Sequence, residues 1–165
     1  MNRKVKNLTY GAVIAALYVT LTYMQNALLP GTASQAVQFR VAEALCVLAL
    51  FTPAAIPGLT IGCMLFNITA GATPLDFAVG SLASFLAAWG MWLSRKVTVR
   101  GLPVLSLCLP AICNGLLVGW MLSVYIGGGF WLNASCVAAG ELGVLLTLGV
   151  FLFYALKKHE NRLFA

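Results

Sequence analysis

Charge is what this chain has least of. Only 8% of its 165 residues are charged, four of them acidic, and there is a single histidine, His159. A soluble domain carries roughly 25% charged residues, so this chain cannot cover a water-facing surface. Metal-ligand spacing is missing too. None of the five cysteines (Cys46, Cys63, Cys108, Cys113, Cys136) forms a Cys-x-x-Cys, and all lie in apolar runs, where they read as small packing residues. No Gly-x4-Gly-Lys-[Ser/Thr] is present, which excludes ATP binding through a P-loop. Neither His-Glu-x-x-His nor Gly-x-Ser-x-Gly occurs, which leaves little for a membrane hydrolase to use.

What is present is apolar. The chain is 61% hydrophobic and its mean hydropathy is +0.94. This composition predicts an all-α membrane protein, with residues 1–165 forming one integral membrane domain. Six apolar runs are separated by breakers: Leu8–Leu29, Val37–Phe51, Ala54–Ala70, Phe77–Leu93, Val104–Ile126 and Trp131–Leu156. Spans of about 17–25 residues fit a hydrocarbon core of roughly 30 Å. The second run is short, which points to a tilted helix or one that begins inside a vestibule. The first run exceeds a signal-peptide core of about 7–15 residues and reads as a retained helix.

The basic residues fit this division. Three lie at the start (Arg3, Lys4, Lys6), three between the fourth and fifth runs (Arg95, Lys96, Arg100) and three in the tail (Lys157, Lys158, Arg162). Only Arg40 stands apart. Six spans place the three clusters on one side, so the positive-inside rule predicts cytoplasmic N- and C-termini. The same clustering explains the net charge of +6 without nucleic acid.

A few polar residues need another explanation. Arg40 and Glu43 open the second run at i, i+3, on one helix face. Asp76 starts the fourth run and reads as a helix cap or as a group at a pocket mouth. Asn67 and Asn114 read as interhelical hydrogen-bond donors or as binding groups. Glu141 is the only charged residue between Arg100 and Lys157. A carboxylate at that depth is costly, and is a functional candidate or a buried partner for Arg40. On the six-span topology these groups converge on the outer half of the bundle, as a solute pocket open to the outside would. Phe130 and Trp131, after Gly127-Gly128-Gly129, read as interfacial belt residues or as a lid. Gly11, Ala12, Ala15 and Ala16 form small-x-x-x-small pairs that suit close packing, on another helix of the chain or on a second subunit.

At these residues the chain resembles a known family. Gln38-Phe39-Arg40-Val41-Ala42-Glu43-Ala44-Leu45 and Pro53-Ala54-Ala55-Ile56-Pro57-Gly58-Leu59, with Ile61-Gly62-Cys63 and Asn67, are similar to signatures of the QueT family. Pro74-Leu75-Asp76, Gly80-Ser81-Leu82-Ala83 and Gly140-Glu141 match as well. One departure is Ala42, where the family commonly has Ser before Glu.

The resemblance implies a six-transmembrane-helix bundle, the substrate-binding S component of an energy-coupling factor (ECF) transporter. It implies capture of a queuosine precursor, a 7-deazaguanine such as preQ0, preQ1 or queuine. The implied partners are a membrane coupling subunit, contacted by Gly11, Ala12, Ala15 and Ala16, and two ATPase subunits. No cofactor and no enzymatic activity are implied.

A guanine-like donor edge suits a carboxylate, Glu141 first and Glu43 second, through a bidentate charge-assisted pair. The ring oxygen suits a donor among Asn67, Asn114, Gln38 and Arg40, and the ring face suits Phe39 or Trp131. The competing expectation is a stand-alone secondary carrier that uses Glu141 as a proton-coupling site. The first helix's docking face and the lack of an evident inverted repeat favour the S component.

Overall fold

The computed structural model describes residues 2–30 and 39–163. Helix dominates because a backbone in lipid must satisfy its own hydrogen bonds. Helix α1 covers Arg3–Leu28. A 3-10 helix, Val41–Leu50, follows. Then come α2 (Ala55–Thr69), α3 (Pro74–Ser94), α4 (Val104–Tyr125) and α5 (Phe130–Lys158), the last with a π turn at Leu145–Gly149. Among the described residues the only β pairing is the isolated bridge Val99↔Leu102.

Four of these helices, α1, α3, α4 and α5, are long and apolar enough to cross a membrane. The other two apolar helices fall short of that length: the second run, expected to be short, is Val41–Leu50, and the third, expected over Ala54–Ala70, is Ala55–Thr69. Fifteen α-helical residues reach about 22 Å and ten 3-10 residues about 20 Å, against a core of roughly 30 Å. The reason is local. Pro53 lies in the turn between the two short helices, Pro57 lies in the first turn of α2, and the 3-10 helix starts at Val41. Gln25 on α1 holds that start by donating to the Phe39 carbonyl and accepting from Val41 N–H at 2.8 Å.

Consecutive helices pack as neighbours in the order α1, α2, α3, α4, α5. The 3-10 helix sits among them and touches all five. Small residues make the seams. A Cβ on Gly62 would come within 2.8 Å of Tyr18 Cβ, and one on Gly119 within 2.5 Å of Ala134 Cα. Any side chain there would push α2 from α1, or α4 from α5. Pro110 lies inside α4 and is tolerated there as interior prolines are in membrane helices. At the other end of the bundle, α3 opens with a full capping box. Thr73 is the N-cap, Pro74 takes the first turn, and Asp76 closes the box from the third helical position.

Two apolar clusters result. One surrounds the 3-10 helix with Tyr18, Leu59, Met91, Leu107 and Phe153. The other joins Val79, Ala83, Val118, Leu122 and Val137 of α3, α4 and α5. Along α4, Leu107 belongs to the first and Val118 to the second, with Asn114 between them. A polar centre therefore separates two apolar layers.

Candidate functional site

Three fully buried polar side chains define that centre: Glu43 on the 3-10 helix, Asn114 on α4 and Glu141 on α5. Their surroundings differ. Glu43 Oε1 accepts from Tyr18 Oη at 3.0 Å, and Glu43 Oε2 accepts from Cys46 Sγ at 3.1 Å. Glu141 Oε2 accepts from Asn114 Nδ2 at 2.9 Å. Glu141 Oε1 and Asn114 Oδ1 flank that bond, and neither has a hydrogen-bond partner among the described residues. Arg40 is in electrostatic range of both carboxylates.

A cavity of about 360 Å³ opens on the Arg40 and Asp76 end of the bundle. Its wall includes Arg40, Asn67, Asp76 and Gly80, with Phe66, Val118 and Leu122 as the apolar share. Such a volume and lining lie in the range of small-molecule sites, about 300–1,000 Å³. Val118 stands one turn from Asn114 on α4, so the buried Asn114–Glu141 pair lies one helical turn deeper than the cavity wall.

The expected site residues thus fall into separate places. Arg40, Asn67 and Asp76 share the cavity wall. Asp76 Oδ2 also accepts from Thr73 N and Oγ1, at 3.1 and 2.8 Å, within the cap of α3. Asn67 Nδ2 approaches Cys63 Sγ and the Asp76 carbonyl, each at 3.5 Å, and so ties α2 to α3. Glu43, Asn114 and Glu141 form the deeper layer. Phe39 is 49% exposed, and its ring lies against Gly143 of α5. Trp131 is 74% exposed, packs on Phe130, and lines an apolar groove between α4 and α5 with Ile112 and Leu116. It is therefore away from the cavity. Gln38 lies outside the described residues.

The four small residues of α1 also divide. Ala15 is buried and Gly11 packs on Ala54 and Gly58, so both serve the α1–α2 seam. Ala12 and Ala16 face outward. Helix geometry explains this, since adjacent residues point about 100° apart.

Tyr18, Cys46 and Gln25 were not anticipated. A signal existed for two of them. Tyr18, Thr22 and Gln25 recur at i, i+4, i+7 and make a buried polar stripe on α1.

Long apolar helices around a buried polar centre, with a solute-sized cavity above it, describe a multi-pass membrane protein built to handle a small solute. The QueT transporter family model matches residues 8–158, and the chain belongs to that family. It is a transporter and not an enzyme. No individual curated protein and no solved structure matches the chain.

Proposed function

We propose that the chain is the solute-capturing S component of an ECF importer and that its solute is a 7-deazaguanine. The carrying observation is a pair of acceptors without partners among the described residues, Glu141 Oε1 and Asn114 Oδ1, one turn below the cavity. Buried acceptors are costly when unpaired. A ring edge with adjacent N–H and NH₂ groups supplies the missing donors. Asn114 spends its own NH₂ on Glu141, so what it offers a solute is its carbonyl. The half-buried Arg40 and the buried Asn67 on the cavity wall suit the ring oxygen.

The six apolar helices alternate in direction, the two short ones counted as spans of an S-component bundle. Nine of the ten cations then fall at the end opposite the cavity, which supports cytoplasmic termini and an outward mouth. The coupling subunit would dock on the outward Ala12 and Ala16. An apolar cleft of about 180 Å³, lined by Val13, Leu17, Leu48 and Leu156, runs beside them. Two ATPase subunits would complete the importer.

Reconstitution in liposomes tests this reading. The purified chain should bind preQ0, preQ1 or queuine and should not accumulate it without the coupling and ATPase subunits. Accumulation by the lone chain under a proton gradient would instead make it a stand-alone carrier, with Glu141 as the proton site.

A further inference from the structure

The opposite end of the bundle carries a second cleft that solute capture does not use. It encloses about 170 Å³ between the α3–α4 connection and the end of α5. Arg95, Thr98, Lys157 and Glu160 form its rim, and Phe51 and Phe153 its apolar base.

Two rim cations are held in place. The Arg95 guanidinium lies 3.5 Å from the centre of the Trp92 ring and donates to the Trp92 carbonyl. The Lys157 ammonium donates to the Gly101 carbonyl at 3.5 Å and sits 5.4 Å from the centre of the Phe153 ring. The connection is itself built. Val99 and Leu102 exchange backbone hydrogen bonds at 2.9 and 3.1 Å, and Arg100 and Gly101 between them take φ of 52° and 82°. That is a two-residue hairpin turn with both central residues left-handed. It costs strain at Arg100, which is not a glycine.

Topology alone needs positive charge near this end of the helices. It does not need a cleft, a stacked guanidinium or a strained hairpin. An apolar base beneath fixed cations, at the depth where Trp92 marks the interface, matches a phospholipid whose head is anionic and whose chains continue along the helices. Charge favours an anionic head over a zwitterionic one. Lys96, Arg100, Lys158 and Arg162 lie on the same connection and tail as Arg95 and Lys157, and Glu160 is the single acid among them. We infer that this cleft is a binding site for the headgroup of an anionic phospholipid, its phosphate held between Arg95 and Lys157.

The test uses the full chain in a neutral detergent and follows thermal unfolding. Short-chain phosphatidylglycerol should stabilise the protein, while phosphatidylcholine of equal chain length and inorganic phosphate should not. The Arg95→Gln/Lys157→Gln variant should bind phosphatidylglycerol roughly 30-fold more weakly, from the usual contribution of two interfacial cations. Lys157→Gln alone changes an exposed side chain and should show an intermediate loss. Arg3→Gln/Lys4→Gln removes two cations from the same end of the bundle and should bind as the parent does. Equal stabilisation by phosphatidylcholine or by phosphate alone would overturn the site. So would an equal loss in the two double variants, because attraction would then be diffuse.

Discussion

Glu43 and Glu141 are the same residue at the same burial, 0% exposed in each case, and the chain treats them differently. Glu43 has a donor on each oxygen, from α1 and from its own helix. Among the described residues Glu141 has a donor on one oxygen only, and the side-chain oxygen of its neighbour Asn114 has none. Desolvation penalises both carboxylates. The difference is how much of that penalty the chain itself offsets. A carboxylate fully met from within ties helices together. One left short has capacity for donors that come from outside.

The comparison can be broken most directly at Glu141. Glu141→Gln removes the charge that strengthens the hydrogen bond from a deazaguanine donor to Oε1. We expect binding weakened roughly 100-fold, taking about 1.5–3 kcal/mol per charged bond. Calorimetric titration measures this, and thermal unfolding in detergent should show little change. An unchanged affinity with a lowered midpoint would make Glu141 structural, and the contrast would disappear.

Glu43→Gln should reverse the pattern. The amide loses one acceptor and sets an NH₂ against a donor, costing about 1–2 kcal/mol of stability. The unfolding midpoint should fall while solute affinity drops by much less than in Glu141→Gln. A larger affinity loss here would make Glu43 the ligand carboxylate.

The smallest effect sharpens the contrast. Tyr18→Phe removes the hydroxyl that donates to Glu43 Oε1 and that also meets the Cys63 thiol, and should cost about 1 kcal/mol. It makes Glu43 resemble Glu141 in having one donor. If the midpoint does not move, the internal bond to Tyr18 is not what stabilises Glu43.

Much of the fold was legible because apolar run length and breakers mark helix ends in lipid. The fifth run, read as Val104–Ile126, is the helix Val104–Tyr125, and the sixth starts at Phe130, one residue before the expected Trp131. The 3-10 winding was not legible, since a short apolar run reads alike in any helical form. The i, i+3 spacing of Arg40 and Glu43 does not reveal that Tyr18 and Cys46 donate to Glu43. Tyr18 lies 25 residues earlier, a pairing that only the packing of α1 against the 3-10 helix creates. The grouping of Arg40, Asn67 and Asp76 at one mouth followed from topology, and the cavity wall includes all three. Trp131 could not be oriented in the same way, because a residue beginning a helix after three glycines has no preceding turn to fix its face.

The 3-10 winding has one more consequence. With three residues per turn, side chains at i and i+3 eclipse each other and do not drift around the axis. Glu43, Cys46 and Ala49 therefore stand in one straight file down the helix, continuing the line from Arg40 at its head. The segment has a reading frame. Inserting or deleting one residue between Arg40 and Glu43 rotates every later side chain by about 120° relative to Arg40. Glu43 would leave Tyr18, and a neighbouring apolar residue would be turned toward the phenol in its place. The signature of this stretch is therefore held by its spacing as much as by its composition.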